Sequence, residues 1–298
     1  MRLVTYRTAT GPGDDLERWG VLVDEGIIDL TGTAGLTSVK EWLAHDEVDL
    51  AQAVAQREPD LVLSDATLLA PITNPGKILA IGLNYAEHRA EGTAPETAHP
   101  TVFTRFSDSH VAHGEKLRRP SSTEAFDYEG ELAVIVGKPA FEIGVATAME
   151  HVGGYSIYNE ASVRDWQMHT SQFIPGKNFY RSGSFGPCMV TADAIDDISA
   201  QTIETRVNGR VVQHAFIEEM IFPIPELIAY VSSFTPLSAG DVILTGTPAG
   251  VGVFQKPPLL LTAGDVVEVE VSSVGLLSNV VADAVDLDAD DPALKEFR

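Results

Sequence analysis

The sequence predicts an α+β protein that is predominantly β, with short helices and a small N-terminal α/β module. Three observations lead there. Short apolar or alternating runs recur along the chain, bounded by Gly, Pro, Asn or Asp. Helical spacing appears only briefly, most clearly over 224–233. A Pro/Gly-rich segment at 71–76 sets off the first seventy residues, giving domains 1–70 and 71–298.

In the module, 1–6, 20–23 and 26–30 read as short strands, with a turn at 11–15. Val39, Trp42, Leu43, Leu50 and Val54 suggest one or two short helices, with Ser38 as a cap. After the linker, 77–82 and 101–106 read as strands around a short helical stretch near His88 and a polar loop over 92–100. The buried run 132–136 follows the acidic stretch 126–131. A short helix over 144–151 leads to the strand 155–159. Asn208-Gly209 between two apolar runs predicts a type I′ hairpin. In the 224–233 helix, Leu227, Ile228 and Val231 point inward and Pro225 suits the first turn. A strand entering a Gly/Pro loop over 242–252 and strands at 259–262, 266–271 and 274–281 precede an acidic stretch, 282–298, read as a solvated tail.

The 298 residues are 44% hydrophobic, enough for a sizeable core. A net charge of −23 argues against nucleic acid, whose phosphates need Lys/Arg stripes, and against anionic membrane surfaces. It leaves room for a small anionic substrate, because distant charges are screened and a few local cations decide binding. No apolar stretch approaches a membrane span and no secretory signal pattern is visible, so the expected location is the cytoplasm. The single cysteine, Cys188, sits in an apolar setting and reads as a buried, inert thiol.

The chemistry gathers around Glu129 and Glu131. Residues i and i+2 of an extended chain share a face, and paired carboxylates repel unless a cation or proton lies between them. A hard cation bound by oxygen fits such a pair; the alternative is two acids at an exposed strand start, with Gly130 as a bulge. Glu160, a third acid at a strand end, is followed by Arg164-Asp165, which suits a site for a metal and an anion. His88 and Glu91 are i and i+3, either a surface pair or an imidazole oriented by a carboxylate. Lys177 lies among apolar and glycine neighbours, and Arg105 lies in a strand where it needs an anionic partner. His110 and His113 read as ordinary loop residues.

Together these stretches resemble the fumarylacetoacetate hydrolase family. The matching segments are IGLNYAEH (81–88), DYEGELAVIVGK (127–138), GYSIYNEASVRDWQ (154–167), PGKNF (175–179) and LSAGDVILTGTPAGVG (237–252). The resemblance implies a mixed, largely β roll around a pseudo-barrel core and a homodimer. It implies Mg²⁺ or Mn²⁺, with Ca²⁺ as a substitute, on Glu129, Glu131 and Glu160. The third position is more often aspartate in the family. It also implies catalytic roles for His88, Glu91 and Lys177. Arg105, Arg164, Gln167, Gly246 and Thr247 are the implied substrate-binding residues for a small anionic 2-oxo acid. The expected activity is hydrolysis of an acylpyruvate or related 2,4-dioxo acid to pyruvate and a carboxylic acid. The alternatives are oxaloacetate decarboxylation or tautomerisation, 2-hydroxymuconate-type isomerisation, or a non-catalytic relative that binds metal or ligand.

Overall fold

The run that follows Glu131 is apolar at every position because the strand it forms is covered on both faces. In the computed structural model, all residues are described except 9–15, 25, 46–47, 94, 288, 290, 292–293 and 295–298. The expected turn at 11–15 therefore lies outside the described residues. The strands that build the site are β1 (Arg2–Thr8), β2 (Arg18–Val23), β3 (Gly26–Asp29), β4 (Leu61–Val62), β5 (Ile78–Gly82), β6 (Thr101–Thr104), β7 (Lys116–Arg119), β8 (Gly130–Val136), β9 (Val152–Asn159), β10 (Gly183–Thr191), β11 (Thr202–Val207), β12 (Arg210–Phe216), β13 (Val242–Leu244), β14 (Val266–Val271) and β15 (Gly275–Asp283). The helices needed here are α1 (Ala86–Glu91), α2 (Arg164–Gln167), α3 (Ile174–Lys177) and α4 (Ile224–Ser232).

The larger sheet runs β4-β3-β2-β1-β10-β9-β8-β13-β5-β6, and the smaller runs β12-β11-β14-β15-β7. Among the described residues neither sheet closes on itself. Most neighbours are antiparallel; β13–β5 and β15–β7 are parallel. The N-terminal strands belong to the larger sheet, because β1 pairs with β10 through Leu3–Met189.

Period-2 alternation sorts β8 between two cores. Leu132, Val134 and Val136 pack with Ile203, Val269 and the inner face of α4, where Leu227, Ile228 and Val231 are buried. Ala133 and Ile135 pack instead with Leu3, Trp19 and Phe185. Glu129 and Glu131 share the odd-numbered register, whereas Gly130 meets the smaller sheet.

Local signals are realised where the backbone demands them. Asn208 and Gly209 have φ of 52° and 76°, as a type I′ turn requires, and they join β11 to β12. The Ser38 hydroxyl accepts from the Glu41 N–H at the start of the Val39–His45 helix. Residues Val145–His151 form a 3-10 helix. The tail read from 282 instead starts within β15, because Asp283 pairs with Arg119 of β7 at 2.8 Å, and a short helix, Ala284–Leu287, follows. Cys188 is buried, and burial pushes its thiol up to about 11. Among the described residues no helix is long and apolar enough to cross a membrane.

Candidate active site

Strand register assembles the acids. Gly130 is paired with Asn159 across β8 and β9, so the residue leaving β9, Glu160, arrives beside Glu129. Its N–H donates to the Glu129 carbonyl at 2.7 Å, and the Asn159 Oδ1 accepts from the Glu129 N–H at 3.1 Å. One carboxylate oxygen from each of Glu129, Glu131 and Glu160 lies within 4.8 Å of the others, and all three residues are buried.

Three cations surround this triad unevenly. Lys177 of α3 is 2.8 Å from Glu129 Oε2 and 2.6 Å from Glu160 Oε2. Arg164 of α2 is 2.5 Å from Glu129 Oε1 and 2.8 Å from Asp127 Oδ2. Arg105 is 3.1 Å from Glu160 Oε1. Among the described residues Glu131 has no ion pair; its Oε2 accepts from the Gly246 N–H at 2.9 Å. Burial, then the neighbouring Glu160 and Glu129 carboxylates, raise the Glu131 carboxyl well above its ordinary range. Burial alone would also raise Glu129, but Lys177 and Arg164 outweigh it and hold that carboxyl down. A donor set of three buried carboxylates, one without a cation of its own, fits a hard divalent ion. Glu129, Glu131 and Glu160 are the residues that would hold it.

The His88–Glu91 pair lies on α1. His88 Nδ1 is 3.3 Å from Glu91 Oε2, which leaves Nε2 as the ring nitrogen for a bound molecule. Glu91 is itself anchored, accepting from the Gly250 N–H at 2.9 Å. His88, the triad, Lys177, Arg164, Gln167 and Thr247 all line one cavity of about 440 Å³. Its apolar wall includes Phe103, Phe173, Val253 and Phe254.

Two expected substrate contacts have other work. Gly246, at φ +98°, spends its N–H on Glu131, and a Cβ there would meet Asn84 Cβ at 2.7 Å. Arg105 is sealed behind Glu160 with a side chain 0% exposed, and it does not line the cavity. The Thr247 hydroxyl donates to the Gly130 carbonyl and accepts from Gln213 Nε2, although the residue lines the cavity. Arg164 Nη2 is buried and lacks a hydrogen-bond partner. His110 is enclosed between Tyr158 and Phe185 rather than held in an open loop, and its Nδ1 lacks a partner.

Sequence reasoning passed over two residues. Asp127 is fully buried and accepts from Tyr128, Gly252 and Val253 N–H groups as well as Arg164. It extends the i, i+2 series of Glu129 and Glu131, so its signal was present in the spacing. Gln213 accepts from the Gly130 N–H at 3.0 Å and donates to Thr247 and the Pro248 carbonyl. Nothing in its local sequence marks it.

Residues 77–282 match the family model of the fumarylacetoacetate (FAA) hydrolase C-terminal region. A mitochondrial oxaloacetate tautomerase of Xenopus laevis is 39% identical over 290 residues, spanning 94% of this chain and 90% of its own. The structure of a fumarylacetoacetate hydrolase from Exiguobacterium antarcticum is 34% identical, with a TM-score of 0.78 over 94% of this chain and 99% of that one. A 5-carboxymethyl-2-hydroxymuconate delta-isomerase from Mycobacterium smegmatis is 28% identical, with a TM-score of 0.74 over 95% and 100%.

Proposed function

We propose, on the premise that the chain belongs to the fumarylacetoacetate hydrolase family, that it interconverts the keto and enol forms of oxaloacetate with a divalent cation. The observation that carries this reading is one cavity lined by both a carboxylate-held imidazole and a buried acidic triad. The first can move a proton; the second can hold the charge that stabilises an enolate. The substrate is supported by the relative of 39% identity, whose name is oxaloacetate tautomerase and which aligns over nearly the whole chain. The sequence alone placed C–C hydrolysis first, and these relatives favour its alternative.

Glu129, Glu131 and Glu160 would hold Mg²⁺ or Mn²⁺, which would supply positive charge for a developing enolate. The chain's own groups do the rest. His88 Nε2 takes the C3 proton as the C2–C3 double bond forms and then gives it to the 2-oxygen, which returns the imidazole to its starting state. The reverse sequence regenerates the keto form. Glu91 keeps Nδ1 engaged, so the imidazole presents one nitrogen. Lys177 offsets the acids that would otherwise repel a dianion. Arg164 and Gln167, which line the cavity, receive the distal carboxylate. The phenylalanines of the apolar wall keep water away from the enolate.

A second reading, hydrolysis of an acylpyruvate, is favoured by the 34% identical fumarylacetoacetate hydrolase and by the same dyad, which could activate water. A panel of oxaloacetate and acylpyruvates with Mg²⁺ or Mn²⁺, followed by ultraviolet absorbance and product identification, separates the two. Tautomerisation predicts faster loss of the oxaloacetate enol with no new carboxylic acid. Preferential release of pyruvate and an acid from acylpyruvates would replace it with hydrolysis.

A further inference from the structure

Arg105 cannot touch a substrate, yet it is one of the most completely engaged side chains near the site. Its Nε donates to Ser109 Oγ at 3.1 Å. Its Nη1 donates to Glu160 Oε1 and the Ala161 carbonyl, both at 3.1 Å. Its Nη2 donates to the Ser109 carbonyl at 3.0 Å and Ser182 Oγ at 3.3 Å. The guanidinium lies 5.5 Å from the centre of the Tyr158 ring, and a Cβ on Gly183 would come within 2.8 Å of Nη2. A planar fork held from three directions has no second orientation to adopt.

We infer that Arg105 is a positioning residue that fixes Glu160 as a single-oxygen ligand of the triad's cation. Arg105 holds Oε1 on its own side, which turns Oε2, now facing Lys177, towards the ion. Outer partners of this kind orient a ligating carboxylate, and their loss typically weakens metal affinity about 10–100-fold. The inference rests on the metal reading of the triad given above.

Two effects of Arg105 on a cation oppose each other, and that makes the idea testable. As a bare charge, Arg105 repels a divalent ion, so its removal would tighten binding. As a positioning group, it aims the ligand, so its removal weakens binding. The experiment is Mn²⁺ titration of metal-free protein by calorimetry or by the electron paramagnetic resonance of free Mn²⁺. Wild type, Arg105→Met and Arg105→Lys are compared, with folding checked by circular dichroism and thermal melting. Positioning predicts at least about tenfold weaker Mn²⁺ binding in folded Arg105→Met. If that variant does not fold, Arg105→Lys decides, since it keeps the charge but loses the planar fork, and weaker binding is again expected. Unchanged or tighter Mn²⁺ binding in the deciding variant overturns the inference. A lowered melting temperature with wild-type Mn²⁺ affinity does so too, because it leaves Arg105 a purely structural role. Wild-type protein that takes up no Mn²⁺ overturns the metal reading itself, a result distinct from failure of Arg105 alone.

Discussion

Replacing Gly130 with alanine tests how tightly the two glutamates are built into the sheet packing. An added Cβ would meet Thr205 Oγ1 at 2.2 Å and Val269 Cγ1 at 2.9 Å. Comfortable carbon contacts lie near 3.5–4.0 Å, so β8 and β11 must separate by on the order of 1 Å. The strand cannot simply rotate away. The Gly130 N–H is held by Gln213 and its carbonyl by Thr247. Overpacking of this kind costs about 1–3 kcal/mol. For a chain of 298 residues that lowers the melting temperature by roughly 2–5 °C. The displacement also carries Glu129 and Glu131, so Mn²⁺ affinity falls with stability. Thr205 Oγ1 has no hydrogen-bond partner, so adding Thr205→Ala to Gly130→Ala relieves the nearest clash without breaking a bond. The double variant recovers part of both losses. Scanning calorimetry and Mn²⁺ titration give the readouts. Wild-type melting and Mn²⁺ binding in Gly130→Ala would refute the reasoning.

Three further outcomes follow from the site. His88→Ala slows tautomerisation by roughly 10²–10⁴-fold while Mn²⁺ affinity stays near wild type, because the imidazole moves a proton and is not a ligand; a matching loss of Mn²⁺ binding would contradict this. Asp127→Asn costs about 3–5 kcal/mol in urea unfolding, because it removes the charge opposite buried Arg164 and places an amide against backbone N–H groups; a loss below about 1 kcal/mol would contradict the buried-pair argument. Burial, with Arg105 nearby, pushes His110 down to about 3, below the ordinary value of about 6.5. The unfolded chain therefore binds the proton first, and stability falls as pH drops from about 6.5 towards 3. His110→Phe, whose ring suits the edge contacts with Tyr158 and Phe185, flattens that part of the melting-temperature profile; an unchanged slope would contradict the assignment.

Features written in local periodicity were readable from the chain. The i, i+2 spacing of Glu129 and Glu131, the i, i+3 spacing of His88 and Glu91, and the Asn208-Gly209 turn each translate directly into geometry. Features set by strand register were not. Glu160 joins Glu129 only because β9 runs back along β8 with Asn159 opposite Gly130. Arg105 announced a need for an anion, yet the choice of Glu160 spans 55 positions and depends on how β6 approaches the end of β9. Gln213 sits in a strand between half-buried Val212 and exposed His214, and its buried role comes from packing against the 247–248 loop. The N-terminal strands were legible as strands, but their edge-on pairing with β10 is a long-range contact that no local pattern encodes.

The most direct test of the central claim is the decay of enol oxaloacetate absorbance with limiting protein, with Mg²⁺ and then with excess chelator. The account predicts ketonisation well above the buffer rate with Mg²⁺, abolished by chelator and restored by added Mg²⁺. A protein that leaves the enol decay at the buffer rate under all of these conditions would contradict it.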